Sequence, residues 1–182
     1  KCGVGPDHPA VRRALLYLRQ FHFNKTYSAG FMLLALAATD DPQHKARAQE
    51  ICEWLVETLP PGKVYGYPGS PDISNHVVAA LGVSAASRTF DIKVDPEYWA
   101  DVIEGTLDYR AKEEHVVLND GTKAYERGFT YRKADASGSM TSAGITVLHL
   151  ALEQMGKKAP SKLRKQCEAA MQSGLVWLGN HW

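Results

Sequence analysis

The amino-acid sequence predicts an all-α fold built from repeated helical hairpins. Two kinds of segment alternate along the chain: amphipathic segments with one apolar helical face, and segments that are apolar or small at almost every position. Strand-like alternation is confined to residues 114–118, so any sheet is expected to be a minor hairpin. Because the same pair of patterns recurs, we expect an array of stacked helical pairs.

The first two hairpins follow the same plan. Residues 9–22 are amphipathic and begin with a proline suited to a first helical turn, whereas residues 29–38 contain only apolar or small side chains. Residues 42–59 are again amphipathic, and residues 77–86 are again almost wholly apolar. A helix that is hydrophobic all round must be buried on every side. The apolar segments are therefore predicted to be inner helices and the amphipathic ones outer helices.

A third hairpin and half of a fourth complete the pattern. Residues 95–112 are amphipathic, and after a long loop residues 143–152 form a third inner helix. His149 within it is expected to be a neutral ring, hydrogen-bonded to a neighbouring helix. Ser161 is expected to cap a last amphipathic helix without an inner partner. The prediction is about seven helices in a single domain that spans residues 1–182.

Similar letters mark the starts of two inner helices. Ser28-Ala29-Gly30 in the first matches Ser142-Ala143-Gly144 in the third. An alignment on the leucines that follow sets the three inner helices 47 and then 67 residues apart. Small residues at these starts let backbones approach closely, as expected where helices crowd around one axis. The pattern favours a closed inner ring, and an open α-solenoid is the structural alternative.

Composition limits the classes of partner and site. There are 21 basic and 20 acidic residues, a net charge of +1, so no strong field recruits nucleic acid. No apolar run approaches the ~20 residues that span a bilayer, so no transmembrane segment is expected. Cys2, Cys52 and Cys167 are odd in number and widely spaced, and they are predicted to be buried thiols rather than disulfides or metal ligands.

Two glycine-aromatic loops, each followed by a Ser- or Thr-rich helix start, carry a family resemblance. They comprise residues 62–75 and residues 128–141. Such repeats resemble those of squalene-hopene cyclases and prenyltransferase β subunits, of the terpenoid cyclase and protein prenyltransferase superfamily. The chain resembles bacterial squalene-cyclase-like proteins of unknown function most closely. The resemblance implies an α/α toroid, of which three and a half hairpins would form a partial ring from a longer protein.

The catalytic signatures of this superfamily are not found in the chain. A cyclase needs an acidic DxDD cluster, whereas Asp40-Asp41-Pro42 only opens a helix. A prenyltransferase needs Asp, Cys and His on zinc, whereas Asp72 and His76 have no cysteine in register. Neither a metal nor a cofactor is therefore expected. The sequence favours a non-catalytic ligand-binding or scaffold module, and the alternative is a fragment of an enzyme that acts on an isoprenoid-like or extended substrate in a toroid cavity.

The candidate ligand-binding residues come from the two loops. Asp72, Asn75 and His76 stand where an inner helix begins, either as a polar cluster or simply as helix caps. The aromatic side chains either line a pocket for an apolar ligand, with Arg132 and Glu126 supplying charge, or pack the loops over the ring. The full candidate set is Tyr65, Tyr67, Asp72, Asn75, His76, Phe129, Tyr131 and Arg132.

A partial ring would leave inner helices uncovered at its two ends. Apolar edges of several hundred Å² would cost on the order of 10 kcal/mol in water. The sequence therefore predicts a homo-oligomer in which the inner helices of two copies face one another. The residues expected to lie in such apolar stretches are Leu33, Leu36, Val78, Leu81, Val147 and Leu150.

Overall fold

The structure, a computed structural model, describes residues 3–67, 70–133 and 135–181. In this part of the chain there are seven α-helices and two small antiparallel sheets. The predicted all-α class and helix number are thus confirmed. None of the helices in the described ranges has the combination of length and hydrophobicity that a bilayer-spanning segment needs.

The elements alternate along the chain much as the hairpin pattern predicts. Two short 3₁₀ turns, Pro42–His44 and Gly156–Lys158, precede α3 and α7. The helices are α1 Pro9–Gln20, α2 Thr26–Ala37, α3 Lys45–Glu57, α4 Ile73–Phe90, α5 Pro96–Leu107, α6 Gly138–Met155 and α7 Ser161–His181. The strands are β1 Gly66–Tyr67, β2 Ser70–Pro71, β3 Glu114–Val117 and β4 Lys123–Glu126.

Local signals explain where most helices begin. The side chains of Asp41 and Asp95 each accept a hydrogen bond from the amide two residues further on, and a proline follows each cap. Ser137 caps α6 by accepting from the amide of Met140. Ser161 is the first residue of α7 rather than its cap, so that boundary prediction was wrong by one residue.

The three apolar helices form one layer. Helix α4 lies in the middle, with α2 packed on one side and α6 on the other. Helix α3 packs over α2 and α4, while α5 and α7 pack over α6. Helix α1 contributes only partly buried side chains, Leu15 and Leu18 among them, to the core. The predicted separation into an inner row and outer amphipathic helices is therefore present.

Two glycines let α2 and α4 cross in close contact. A Cβ atom added to Gly30 would lie 2.5 Å from the carbonyl oxygen of Val78, and one added to Gly82 would lie 2.6 Å from that of Gly30. Real Cβ atoms do not approach backbone this closely, so both positions require glycine. The crossing fixes how the start of α2 stands beside the start of α4.

The inner helices are not buried on every side, which corrects the sequence-based expectation. Phe31 of α2 is 54% exposed, and Ser142 and His149 of α6 are exposed as well. The outer helices cover one side of the row. On the opposite side, one stripe of each inner helix remains exposed to solvent. His149 lies on that stripe, so it is not the buried, hydrogen-bonded ring that the sequence predicted.

Most residues expected at uncovered edges are covered within one chain. Leu33, Leu36 and Val147 are fully buried, Val78 and Leu150 are almost so, and only Leu81 is partly exposed. Cys52 and Cys167 are also buried free thiols, and burial raises the pKa of Cys52 to about 12 and that of Cys167 to about 11. These two cysteines agree with the prediction, and Cys2 lies outside the described residues.

The sheets are small, as expected, but one was missed. Strands β3 and β4 pair as an antiparallel hairpin at the predicted place. Strands β1 and β2 pair through only two residues each, within the first glycine-aromatic loop. A two-residue strand is too short for an alternating pattern, so this sheet could not be predicted.

Candidate ligand-binding cleft

The two glycine-aromatic loops share one hydrogen-bond arrangement. The amide of Tyr65 donates to Nδ1 of His76 at 3.5 Å, and the amide of Phe129 donates to Oγ1 of Thr141 at 3.0 Å. The carbonyls of the same two aromatic residues accept from the amides of Asp72 and Ser137, the N-caps of α4 and α6. The two loops are therefore structural repeats, although their sequences differ.

This arrangement corrects the repeat spacing. Helices α2 and α4 begin 47 residues apart, as the letters indicated, but α4 and α6 begin 65 rather than 67 residues apart. The match between Ser28-Ala29-Gly30 and Ser142-Ala143-Gly144 therefore pairs residues that are two positions out of register in the structure. The correct register makes Lys25, Asp72 and Ser137 equivalent cap positions.

The start of α4 is closed by its own chain. The Asp72 carboxylate is fully buried and accepts from the amide of Asn75 at 2.9 Å and the hydroxyl of Ser74 at 2.6 Å. Nδ2 of Asn75 donates to both carboxylate oxygens. From the second loop, the hydroxyl of Tyr131 lies 3.5 Å and a guanidinium nitrogen of Arg132 4.0 Å from Oδ2 of Asp72. Asp72 therefore caps α4, and its charge faces a cation.

His76 turns away from Asp72 toward helix α5. Its Nε2 lies 3.2 Å from the carbonyl oxygen of Val102 and 3.1 Å from the hydroxyl of Thr106. Because Nδ1 accepts from the amide of Tyr65, Nε2 carries the proton. Burial lowers the pKa of His76 to about 4, so the ring is neutral. His76 thus joins α4, α5 and the first loop, and the predicted polar cluster reduces to Asp72 with Asn75.

The start of α2 is open and borders a cleft of about 540 Å³. Lys25 occupies its cap position and makes no side-chain capping bond. Thr26 and Tyr67 both line the cleft, and so does Trp54 from the last turns of α3, whose ring is edge-on to Phe23 at 5.2 Å. The lining is mostly apolar, and the described lining residues include no carboxylate, histidine or cysteine.

The structure brings only three of the eight candidate residues to this cleft. Tyr67 is 49% exposed and forms part of its wall, whereas Tyr65 and Asn75 are buried side chains that reach its inner surface. The hydroxyl of Tyr65 donates to the carbonyl of Leu55 and lies 3.3 Å from that of Tyr98, and burial raises the pKa of Tyr65 well above its ordinary value. Tyr65 therefore has a structural role as well.

The remaining aromatic candidates lie elsewhere. Phe129 is fully buried, with its ring against Gly144, where an added Cβ would lie 2.5 Å from it. Tyr131 is 39% exposed and covers the start of α4, together with Arg132. Glu126 accepts from Nδ2 of Asn180 at the far end of α7, so it supplies no charge beside Arg132 at Asp72. The second loop thus packs rather than lines a pocket.

Several cleft residues escaped the sequence analysis. Lys25 and Thr26 fall between the predicted helices 9–22 and 29–38, and Trp54 lies in the predicted outer helix 42–59. The available signal was the lysine at a cap position, where Ser, Thr, Asp or Asn is the usual residue. A helix start without a cap indicates either exposure to water or an external acceptor.

Within the described residues there is no group of three or more His, Cys, Asp or Glu side chains arranged to hold a metal ion. Comparison of the chain with known protein families, characterised proteins and solved structures gives no match. The function of the protein is therefore inferred from the geometry of the cleft.

Proposed function

We propose that this protein is a non-catalytic ligand-binding module that holds an apolar, extended small molecule in the cleft between the start of α2 and the first glycine-aromatic loop. The observation that carries the proposal is the combination of size and lining. A cleft of about 540 Å³ lies within the range of small-molecule sites, which are mostly apolar with a few placed polar groups. The aromatic walls from Trp54 and Tyr67 match that description.

Binding rather than chemistry is favoured by the groups at the cleft. Tyr65, whose pKa is raised by burial, is neutral and already donates to a backbone carbonyl. Lys25 also lines the cleft and makes no ion pair within the described residues, and Tyr67 contributes its half-exposed ring to the wall. General acid–base catalysis needs groups that titrate near the working pH. The described lining offers contact surface and hydrogen bonds instead.

Calorimetric titration with octan-1-ol, an uncharged apolar chain, tests the proposal. We expect saturable binding that Tyr67→Ala weakens by about tenfold, because truncation of an aromatic wall removes a large contact area. Leu175→Ala is the control, since Leu175 is similarly exposed but lies on α7 and is not part of this cleft. Equal binding by the two variants, or no saturable binding by the unaltered chain, would contradict the proposal.

The family and ring geometry belong to the same proposal. We infer that the row α2–α4–α6 is an arc of an α/α toroid of the terpenoid cyclase and protein prenyltransferase type. The inference is supported by the repeated loops, by the outer helices on one side of the row and by the solvent-exposed stripe on the opposite side. That stripe would face the axis of a ring. Small-angle scattering of the full-length protein distinguishes a closed ring from an extended solenoid by its maximum dimension.

Self-association is a further part of the proposal, on altered grounds. The inner leucines and valines are largely covered within the chain, so they no longer supply the driving force. The driving force for association would come instead from exposed apolar side chains on α1 and α2, namely Leu16, Tyr17 and Phe31. We expect light scattering at micromolar concentration to give the mass of a dimer or larger assembly. A monomer mass would contradict this point without bearing on the cleft.

A further inference from the structure

A second cleft, also of about 540 Å³, is lined by the β3–β4 hairpin, by α7 and by the segment that follows α5. It shares no described lining residue with the cleft of the proposed function. Its apolar surface comes from Leu118 and Ala124 of the hairpin and from Ala169 and Val176 of α7. Arg110, from the segment after α5, brings a positive charge to it. This volume and this lining suit a small molecule.

The guanidinium of Arg110 has few partners in the folded chain. Its Nη2 donates to the hydroxyl of Ser173 at 3.0 Å. Its Nε is sealed from solvent and has no hydrogen-bond partner among the described residues. Glu113 lines the same cleft but is exposed and makes no ion pair with Arg110. Arg110 is therefore a partly buried cation without a carboxylate partner in the described part of the chain.

A second arginine lies beside the first. The amide of Arg127 donates to the carbonyl of Ser173 at 3.2 Å, and its Nε donates to the carbonyl of Ala111. Within the described ranges Arg127 makes no ion pair either. Burial, followed by the charge of Arg127, lowers the pKa of Arg110, and Glu113 acts in the opposite direction. Two like charges thus meet at Ser173, beside the cleft.

This arrangement opposes folding and favours an external anion. A partly buried charge without an ion-pair partner and a sealed donor without an acceptor both cost free energy in the folded chain. A carboxylate is the anion that fits, because a guanidinium donates two parallel hydrogen bonds to it. Nη1 of Arg110 has no partner among the described residues and, unlike Nε, is not sealed. The outer edge of the guanidinium is therefore available to a ligand.

We propose that this second cleft binds a small carboxylic acid, as its anion, with a compact apolar body. Nη1 and Nη2 of Arg110 donate to the carboxylate, and the apolar body lies against Leu118 and Val176. Because the two clefts share no described residue, this inference goes beyond the proposed function and does not depend on it.

Two probes of the same shape test the charge. Naphthalene-2-carboxylate carries the anion, and naphthalene-2-carboxamide is its uncharged counterpart. We expect calorimetry at pH 7 to show saturable binding of the carboxylate that is about tenfold to a hundredfold tighter than that of the carboxamide, because hydrogen bonds between charged groups are the stronger ones.

Arg110→Met tests the residue, since methionine keeps a long apolar side chain and removes the charge. The variant should bind the two probes equally. Arg13→Met is the charge-matched control on the exposed surface of α1, and it should keep the full preference for the carboxylate. Without ligand, Arg110→Met should melt no lower than Arg13→Met, because it loses a partly buried charge that has no ion-pair partner.

Glu113→Gln supplies a test that does not disturb Arg110. The side chain is exposed and lines the cleft, so its negative charge repels an anionic ligand. Its removal should tighten binding of the carboxylate by about twofold to fivefold and leave the carboxamide unchanged. If Arg110→Met fails to fold, this variant decides the question.

Three results would overturn the inference. The first is equal affinity of the unaltered chain for the two probes, or no saturable binding of the carboxylate. The second is a preference for the carboxylate that survives in Arg110→Met, which would place the anion elsewhere. The third is unchanged or weaker binding of the carboxylate by Glu113→Gln. None of these results bears on the binding of octan-1-ol in the first cleft.

Discussion

The starts of helices α2 and α4 occupy equivalent places in the repeat, yet one is open and the other closed. At α4 an aspartate caps the helix and the second loop covers it with Tyr131 and Arg132. At α2 a lysine stands at the cap position, and the first loop leaves a cleft. The repeated backbone arrangement therefore does not determine whether a helix start is covered by other residues or exposed. One cap side chain and the residues of the covering loop decide it.

The largest expected effect on stability comes from removing the cap at the start of α4. Asp72→Ala removes the cap of α4 and leaves the buried amide of Asn75 without its partner. Loss of a cap and an unsatisfied buried group together should lower the free energy of unfolding by about 3 kcal/mol. Urea denaturation measures this. Asp72→Asn keeps a capping oxygen and should cost less, and equal costs for the two variants would argue against the capping role.

Acid should destabilise the start of α4 through protonation of His76. The equivalent residue of α2 is Ala29, which does not titrate. The folded pKa of about 4 lies below the ordinary 6.5, so the unfolded chain takes up the proton first as the pH falls. Stability is therefore full above pH 6.5 and declines toward pH 4, by up to about 3 kcal/mol. Burial also lowers the pKa of His44, which acts in the same direction.

The contribution of His76 is isolated by comparison with His76→Gln. The variant is expected to be less stable at pH 7 but to lose less stability between pH 6.5 and 4. Urea denaturation across that interval gives both slopes. Parallel slopes for the two proteins would show that His76 does not titrate in this way.

The distance between the two starts depends on the glycine crossing. Gly30→Ala places a Cβ 2.5 Å from a backbone oxygen, so α2 must move relative to α4, at a cost of about 2 kcal/mol. Gly179→Ala in α7 is the control, because nothing lies within 4 Å of the added atom. We expect the control to be neutral or stabilised by about 0.5 kcal/mol. Thermal unfolding of both variants compares them, and an unchanged melting temperature for Gly30→Ala would contradict the close contact.

The smallest effect on stability should come from adding a cap at the start of α2. Lys25→Asp gives α2 the cap that α4 already has, which should raise the free energy of unfolding by about 1 kcal/mol. Lys25→Ala lacks a capping oxygen and should give no such gain. If both substitutions changed stability equally, removal of the lysine rather than formation of a cap would be responsible.

The predictable part of the fold was that governed by local sequence. Pro96 after Asp95 sets the start of α5, and the apolar run of α4 sets its place in the middle of the inner row. The pairing of β3 with β4 followed from alternation at residues 114–118. Each of these features depends on side chains close together in the chain, so their periodicity and caps can be read directly.

The candidate site was predictable only in part. Tyr65, Tyr67 and Asn75 were found because they belong to a recognisable loop, whereas Lys25 and Trp54 come from two other segments that meet only in the folded chain. Phe129 and Tyr131 have the same local pattern as Tyr65 and Tyr67 but pack against Gly144 and Asp72. Local pattern could not separate the two loops, because the difference lies in what each loop faces.

The sequence by itself determined the helical class, the alternation of outer and inner helices, the starts of α1, α5 and α7 to within one residue, and the burial of Cys52 and Cys167, since periodicity and capping are properties of neighbouring residues. Only the tertiary structure decided which stripe of each inner helix stays exposed, where His149 lies, and which helix start is open. Those features depend on contacts between segments far apart in the chain, such as Tyr131 with Asp72, and on the absence of an equivalent contact at Lys25 within the described residues.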